Sequence, residues 1–537
     1  MNRFKKQSII FLGVALTMLL VLGACGNGED VSDATDDDLT SAANNNGSGA
    51  TDEARQGNLD RQLVVAIGAD PLSLDPQHVN ETNAAISNTQ MYETLVTHDL
   101  NMNIVPRLAV DWRRIDDLTM EFDLRDDVYF HNGEHFTASD VYFTLKRAAD
   151  SPTTQPILGE IDPDGLEIMD DYTIRIRSFE PFAPMLANLA HTTAFIVSEA
   201  AVAYHGEDFG ENPVGTGPFM FSQWQAGDYL VLIRNDQYWG EMPEISGITF
   251  RFIPEQSNRI IALETEEADI AMWISPSDVA RVQESDDLVL VNRTNFTTQY
   301  LGFNNSLEMF QDVRVRQAFN YAVDVDLIVD TILEGWAQPT DGGPMGANIP
   351  GASQVEGYEF NPDRARELLA EAGFEDGLDV TINLMNDQTQ RAIVEAVANQ
   401  LGQVGINVSI EPLENAVFNE FTNEGNHEIA FFSWTTVTGD ADYALFPLLH
   451  SDQHGSAGNR AFFSNAEVDT LLEAARATFD EDERAVYYAE LQQLIRDEAP
   501  WIFLTVGESL IATRAEVEGY EFRLNGQQTM RYVRFVD

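Results

Sequence analysis

Cysteine is almost missing from these 537 residues: Cys25 stands alone, so no intramolecular disulfide framework can form. Lysine is nearly as scarce, occurring only at Lys5, Lys6 and Lys146. Basic side chains number 31 against 88 acidic ones, a formal net charge of −57. A surface of that sign repels a phosphate backbone, which excludes nucleic acid as a main partner. Beyond Leu22 no apolar run is long enough to cross a bilayer. No repeat of roughly 20–50 residues recurs, which sets aside solenoids and propellers.

What is present begins at the N-terminus. Arg3, Lys5 and Lys6 precede an uncharged, mostly apolar stretch from Gln7 to Leu22, the pattern of a secretion signal. It ends in Leu22-Gly23-Ala24-Cys25, with small residues before the only thiol. This lipobox-like ending predicts a lipoprotein signal peptide over residues 1–24 and a diacylglycerol thioether on Cys25; the alternatives are an uncleaved anchor and an unpaired structural cysteine. Residues 25–60 are rich in Asp, Glu, Asn, Gly and Ser, with the run Asp36-Asp37-Asp38. Such a segment buries too little surface to order itself and reads as a disordered acidic tether. The body after it keeps a single lysine and relies on arginine, which stays charged where lysine begins to deprotonate. That composition suggests a cell whose outer face meets alkaline or salty water, where a dense carboxylate surface stays hydrated and its repulsion is screened.

Strand-like and helix-like patterns are mixed from end to end, so the class is α/β or α+β. Leu63 to Ile67 predicts a buried strand, and Thr119 to Arg125 alternates with period two. After a turn at Asn132-Gly133, Thr137 with Asp140 three residues on predicts a capping box and a helix to Ala148. Thr173 to Arg177, Tyr229 to Arg234 and Gly247 to Ile253 predict further strands. The second half turns to β-α units. Helices are expected over Asp312 to Val323, from Asn361-Pro362 to Gly373, and over Gln390 to Val404 before a strand at Asn407 to Glu411. Ala466 to Arg476 and Glu481 to Glu498 predict two more.

Several segments then occur in a telling order: Pro106-Arg107-Leu108-Ala109 with Trp112, Phe122 to Arg125, and Phe130 to Val141. Val214 to Phe219, Arg234 to Trp239, Asp312 to Ala318 with Tyr321 to Asp324, and Asn361 to Gly373 follow. Taken together, the chain from about residue 61 to 510 resembles the bacterial extracellular solute-binding proteins, family 5, which serve peptide and nickel ABC importers. The resemblance implies an α/β, two-lobed, periplasmic-binding-protein-like fold of the large class II type. Lobe I is expected over 61–298 with an inserted subdomain at about 76–205, lobe II over 299–507, and a C-terminal return to lobe I over 508–537. Hinges are expected near Phe296 to Asn304 and near Gly507. It also implies a monomeric receptor on the outer face of the membrane that hands peptides to a permease, with no enzymatic activity and no cofactor.

The same resemblance points to the stretch from Phe431 to Tyr443 as cleft lining. In peptide-binding relatives an aspartate shortly after the tryptophan holds the ligand's ammonium; here that position is Val437, and carboxylates stand instead at Asp440 and Asp442. Trp434 and Tyr443 are candidate cleft walls, with core packing as the alternative. Arg391 is a candidate for the ligand's carboxylate and Asn304 for a polar contact at the hinge, with surface and backbone roles as the alternatives. Glutathione, a nickel chelate, heme and an oligosaccharide remain open as ligands, and a surface-anchored hydrolase using paired carboxylates is a distant alternative. His131-Asn132-Gly133-Glu134-His135 matches the inverted zinc-peptidase pattern, but Asn-Gly is a turn signal and that motif needs a continuous helix. Gly215-Thr216-Gly217 lacks the third glycine or Gly-Lys-Ser/Thr of a phosphate loop and reads as a structural turn. The nine histidines are scattered, so no metal site is expected.

Overall fold

The computed structural model describes residues 61–340 and 342–536; the expected signal peptide, Cys25 and the tether lie outside the described residues. Aliphatic runs make the central sheet. Gln62–Ile67 ends in Val65, Ala66 and Ile67, all fully buried, as in a strand covered on both faces. It pairs in parallel with Gly247–Phe252 on one side and Ile270–Ala271 on the other. Tyr229–Arg234 and then Phe219–Gln225 extend the sheet antiparallel beyond Gly247–Phe252. In the second half, Leu378–Met385 lies parallel to both Ile406–Leu413 and Ile429–Thr435. Helix Gln388–Gly402 makes the crossover between the first two, the β-α unit that parallel neighbours require.

Two long strands join these halves into one eleven-stranded ladder. Leu288–Phe303 and Trp501–Arg514 run antiparallel, with Leu288 to Thr294 opposite Arg514 to Glu508 and Thr298 to Gly302 opposite Val506 to Trp501. Between Thr294 and Thr298 the register shifts, so Asn295, Phe296 and Thr297 stand against Gly507 alone. A bulge of this kind bends and twists the ladder locally. Phe296 is fully buried at its centre; its N–H donates to the Leu524 carbonyl and its carbonyl accepts from the Thr436 N–H, both at 2.9 Å.

A separate antiparallel sheet is formed by Ala109–Arg114, Thr119–Leu124, Thr173–Arg177 and Glu167–Asp170. Helix Ala138–Ala149 buries Val141, Leu145 and Ala148 in the same core as Phe122, Ile174 and Ile176. The predicted capping box starts it: Asp140 accepts from the Thr137 N–H at 3.0 Å. Asn132-Gly133 is a turn, with Gly133 in the left-handed region at φ +85°. His131 and His135 therefore do not share a helix face; their rings bond to the carbonyls of Gly217 and Asp126 at 3.0 and 2.9 Å. Gly215 and Gly217 press against the end of helix Thr82–Met91, where a Cβ on Gly215 would come within 2.1 Å of the Met91 carbonyl oxygen. Close packing explains this glycine pair. Among the described residues no group of His, Cys, Asp and Glu converges as a metal would require.

The expected helices of the second half are present as Val313–Tyr321, Pro362–Glu371, Ala466–Ala477 and Glu481–Glu498. The one expected from Gln390 begins at Gln388, because Asp387 caps it by accepting from the Gln390 N–H at 2.8 Å. Several helices carried no signal in the sequence, Gln256–Glu264 and Asn415–Asn423 among them. Thr82–Met91 buries Ser87, Asn88 and Gln90 along with its apolar residues, which blurs its periodicity, and Ala441–Leu449 contains Pro447, ordinarily a helix breaker.

Burial of four imidazoles makes the fold sensitive to acid. It lowers His98, His131, His191 and His427 from the ordinary 6.5 to about 4, 4, 3 and 4. The folded chain keeps these rings neutral while the unfolded chain protonates them below about pH 6.5. Their stabilisation is thus complete above about pH 6.5 and is lost as the pH falls through 4 to 3. Urea midpoints are expected to drop steadily from about pH 7 to about pH 4; substituting the four by glutamine should remove part of that slope.

Candidate ligand-binding site

Distant parts of the chain meet around a cavity of about 600 Å³. The first is the start of helix Thr82–Met91, which contributes Asn80, Glu81, Thr82 and Asn83. Glu81 caps this helix, accepting from the N–H groups of Asn83 at 3.1 Å and Ala84 at 2.9 Å. The second is Trp273, which lies just past strand Ile270–Ala271 in a left-handed backbone conformation at φ +50°. For so bulky a residue that is a strained position. Arg259 holds it there, donating to the carbonyls of Met272 and Trp273 at 2.8 and 2.9 Å and to those of Ile253 and Pro254 at 2.7 and 2.9 Å.

The third part is the bulge itself. Asn295 and Thr297 face the cavity together with Glu508 and Ser509 from the opposing strand, and Asn295 donates to the Ser509 hydroxyl at 3.0 Å. The fourth is the end of strand Ile429–Thr435 with the turn and helix after it, which bring Trp434, Thr435, Val437 and Tyr443. A C-terminal hairpin, Glu521–Phe522 paired with Gln528–Thr529, closes the remaining side, and Asn525 donates to the Val437 carbonyl at 2.9 Å. His191 completes the wall; burial first, and then the neighbouring His98, keep its ring neutral.

Two of the six expected ligand residues come together here. The rings of Trp434 and Tyr443 stack with centroids 5.1 Å apart, and the indole N–H donates to the Tyr443 carbonyl at 2.8 Å. Both line the cavity and also pack against the core of the four-stranded layer. The other four are placed elsewhere. Asp440 caps helix Ala441–Leu449 and is held by Arg484 at 2.6 and 2.7 Å. Burial opposes the charge on Arg484, and the Asp440 carboxylate more than offsets it, so the guanidinium pKa rises. Asp442 is held by Arg476 at 3.0 and 3.1 Å, and the same guanidinium reaches Glu160 in the four-stranded layer at 2.9 Å. The ammonium-anchor expectation for these aspartates thus meets two carboxylates already committed to arginines. Arg391 is exposed and pairs with Glu395 one helical turn on. Asn304 is buried and donates to the carbonyls of Gly425 and His427 at 2.8 and 3.0 Å, which orders a loop.

Trp273, His191, Glu508 and Asn525 went unnoticed in the sequence, and no spacing or motif marks them. They come from separate elements and converge only when the chain folds.

Truncating either aspartate should act on stability. Asp440→Ala leaves the largely buried Arg484 guanidinium without its carboxylate, and breaking such a pair costs about 3–5 kcal/mol, whereas Asp442→Ala leaves Arg476 its contact with Glu160. Denaturant unfolding of Asp440→Ala is expected to show a loss of about 3 kcal/mol or more, and of Asp442→Ala a smaller one. A loss under about 1 kcal/mol in Asp440→Ala would mean that Arg484 finds a new partner.

Comparison with known proteins places the chain. The family model for bacterial extracellular solute-binding proteins, family 5 middle, matches residues 103–456. The glutathione-binding protein GsiB of Pectobacterium atrosepticum is 32% identical over 472 residues, covering 86% of this chain and 91% of that protein. Among solved structures, the periplasmic binding protein DppA of Helicobacter pylori in complex with the peptide STSA matches with a TM-score of 0.80 and 28% identity, over 91% of this chain and all of that one. A dipeptide-binding protein of a Pseudoalteromonas species in complex with Met-Leu gives 0.79 and 26%, over 89% of this chain and all of that one. The α/β body around the cavity therefore has the two-lobed fold of these binding proteins, and the chain belongs to the bacterial extracellular solute-binding proteins, family 5.

Proposed function

We propose that this protein is the lipid-anchored receptor of an ABC importer and that it captures short peptides in the cavity beside the strand bulge. The observation that carries this reading is the cavity's make-up. Its volume of about 600 Å³ falls in the usual range for small-ligand sites, and the Trp434–Tyr443 stack gives it an aromatic wall. Asn80, Asn83, Asn295, Asn525 and Gln527 add donors and acceptors suited to peptide amides. Peptide complexes of the related binding proteins from Helicobacter pylori and Pseudoalteromonas support the same choice.

In this reading lobe I covers 61–298 with the inserted subdomain, lobe II covers 299–507, and 508–537 returns to lobe I. The hinge is the crossing at Asn295 to Thr297 and Gly507, where ladder pairing is interrupted and rotation disturbs the fewest hydrogen bonds. Ligand stabilises a closed form for the permease to recognise. The protein works as a monomer held to the membrane by lipid on Cys25, outside the cell, in a medium whose salt or alkalinity suits the acidic surface. A second reading is glutathione, itself a small peptide, favoured by the relatives that carry that name.

Incubation with a defined pool of di- to pentapeptides is expected to raise the melting temperature and leave every peptide intact by mass spectrometry. Cleavage products would replace this reading with a hydrolase. For the anchor, Cys25→Ser should move the protein from the membrane fraction to the medium or the uncleaved precursor pool, with loss of acyl-chain mass on the N-terminal peptide. Unchanged membrane association of a processed chain would contradict lipidation.

A further inference from the structure

The charges around the cavity are one-sided. Glu81 and Glu508 line it, and among the described lining residues there is no lysine or arginine. His191 supplies no compensating charge, because burial and the neighbouring His98 hold its ring neutral. Three guanidiniums of neighbouring segments are committed already. Arg484 and Arg476 hold Asp440 and Asp442, and Arg293 donates to the carbonyls of Phe522 and Leu100 at 2.9 and 3.3 Å.

The helix start at Thr82 would ordinarily offer free N–H groups to an anion. Here Glu81 already occupies the N–H groups of Asn83 and Ala84, so an incoming carboxylate finds them taken and a like charge beside them. Glu508 is differently placed. Its Oε2 accepts from the Asn292 side chain at 3.0 Å, and no other hydrogen bond to its carboxylate occurs among the described residues. It can therefore receive a donor from a ligand. The long-range field has the same sign, since the chain carries a formal net charge of −57.

We propose that the cavity selects peptides of net positive charge, those with a lysine or arginine side chain, and that Glu508 is the residue that reads this charge. The proposal rests on the peptide-binding reading and narrows it. A tripeptide with two carboxylates and one ammonium, such as glutathione, has the charge that this cavity disfavours. Charge of this kind also acts on encounter, raising the association rate for cations in dilute salt.

The test is calorimetric titration of the lipid-bearing protein in detergent at neutral pH and fixed ionic strength. The probes are trialanine, the same peptide with lysine or with glutamate at its centre, and glutathione. The lysine peptide is expected to bind about tenfold more tightly than trialanine, with the glutamate peptide and glutathione weaker than both. In Glu508→Gln the ratio of lysine to alanine affinity should fall from about tenfold to about one, with a cooperative melting transition retained. Tighter binding of glutathione or the glutamate peptide than of the lysine peptide overturns the charge selection and leaves peptide capture standing. An undiminished lysine preference in Glu508→Gln overturns the role of that residue. Binding of none of the peptides, including trialanine, overturns the peptide-capture reading itself. If Glu508→Gln does not fold, the order of the four probes on the unaltered protein decides the proposal.

Discussion

The pairing of Leu288–Phe303 with Trp501–Arg514 is the constraint on which the rest of the structure depends. Each strand is long enough to serve the sheet of both halves, and their ladder carries the hydrogen bonding from one half into the other. A perfectly regular ladder would make the two halves one stiff slab. The three-against-one bulge at Asn295 to Thr297 is the larger of two breaks in that regularity, the other falling between Gln299 and Tyr300, and the cavity opens beside it. Residues that line the cavity and residues that interrupt the ladder thus overlap. Asn295 and Thr297 belong to the bulge, and Glu508 follows Gly507 directly on the opposing strand.

Ion pairing explains how so acidic a chain keeps its interior ordered. Scarce cations are spent on carboxylates at structural junctions. Arg484 with Asp440 secures the start of helix Ala441–Leu449, and Arg476 ties Asp442 to Glu160 across the gap between the second half and the four-stranded layer. Arg476 also lies over the Phe446 ring at 3.4 Å, so its burial is compensated by an aromatic face as well as by charge. The cavity itself is lined by acidic and neutral side chains.

Trp434 shows how one residue links the packed core with the cavity wall. Its ring stacks on Tyr443, its indole N–H is satisfied by the Tyr443 carbonyl, and both rings reach the core of the four-stranded layer. A cavity wall built from core-locked rings is rigid, which lowers the conformational entropy lost when a ligand binds. The left-handed Trp273, held through the carbonyl contacts of Arg259, gives the opposite half a comparably fixed aromatic residue.

The sequence by itself determined the family, the α/β class and most local elements, because these depend on residues near one another along the chain. Alternation at Thr119 to Leu124, the Thr137–Asp140 box, the Asn361-Pro362 helix start and the Asn132-Gly133 turn are all short-range physics and stand where they were expected. Helices Thr82–Met91 and Ala441–Leu449 escaped notice, since buried polar residues and an internal proline hid their periodicity. The fate of Asp440 and Asp442 could not be read locally, because Arg484 and Arg476 lie 44 and 34 residues further on. Only tertiary structure decided which carboxylates are neutralised and which face the cavity. A side chain's electrostatic role is set by what folding brings within a few ångströms of it, and sequence order does not carry that distance.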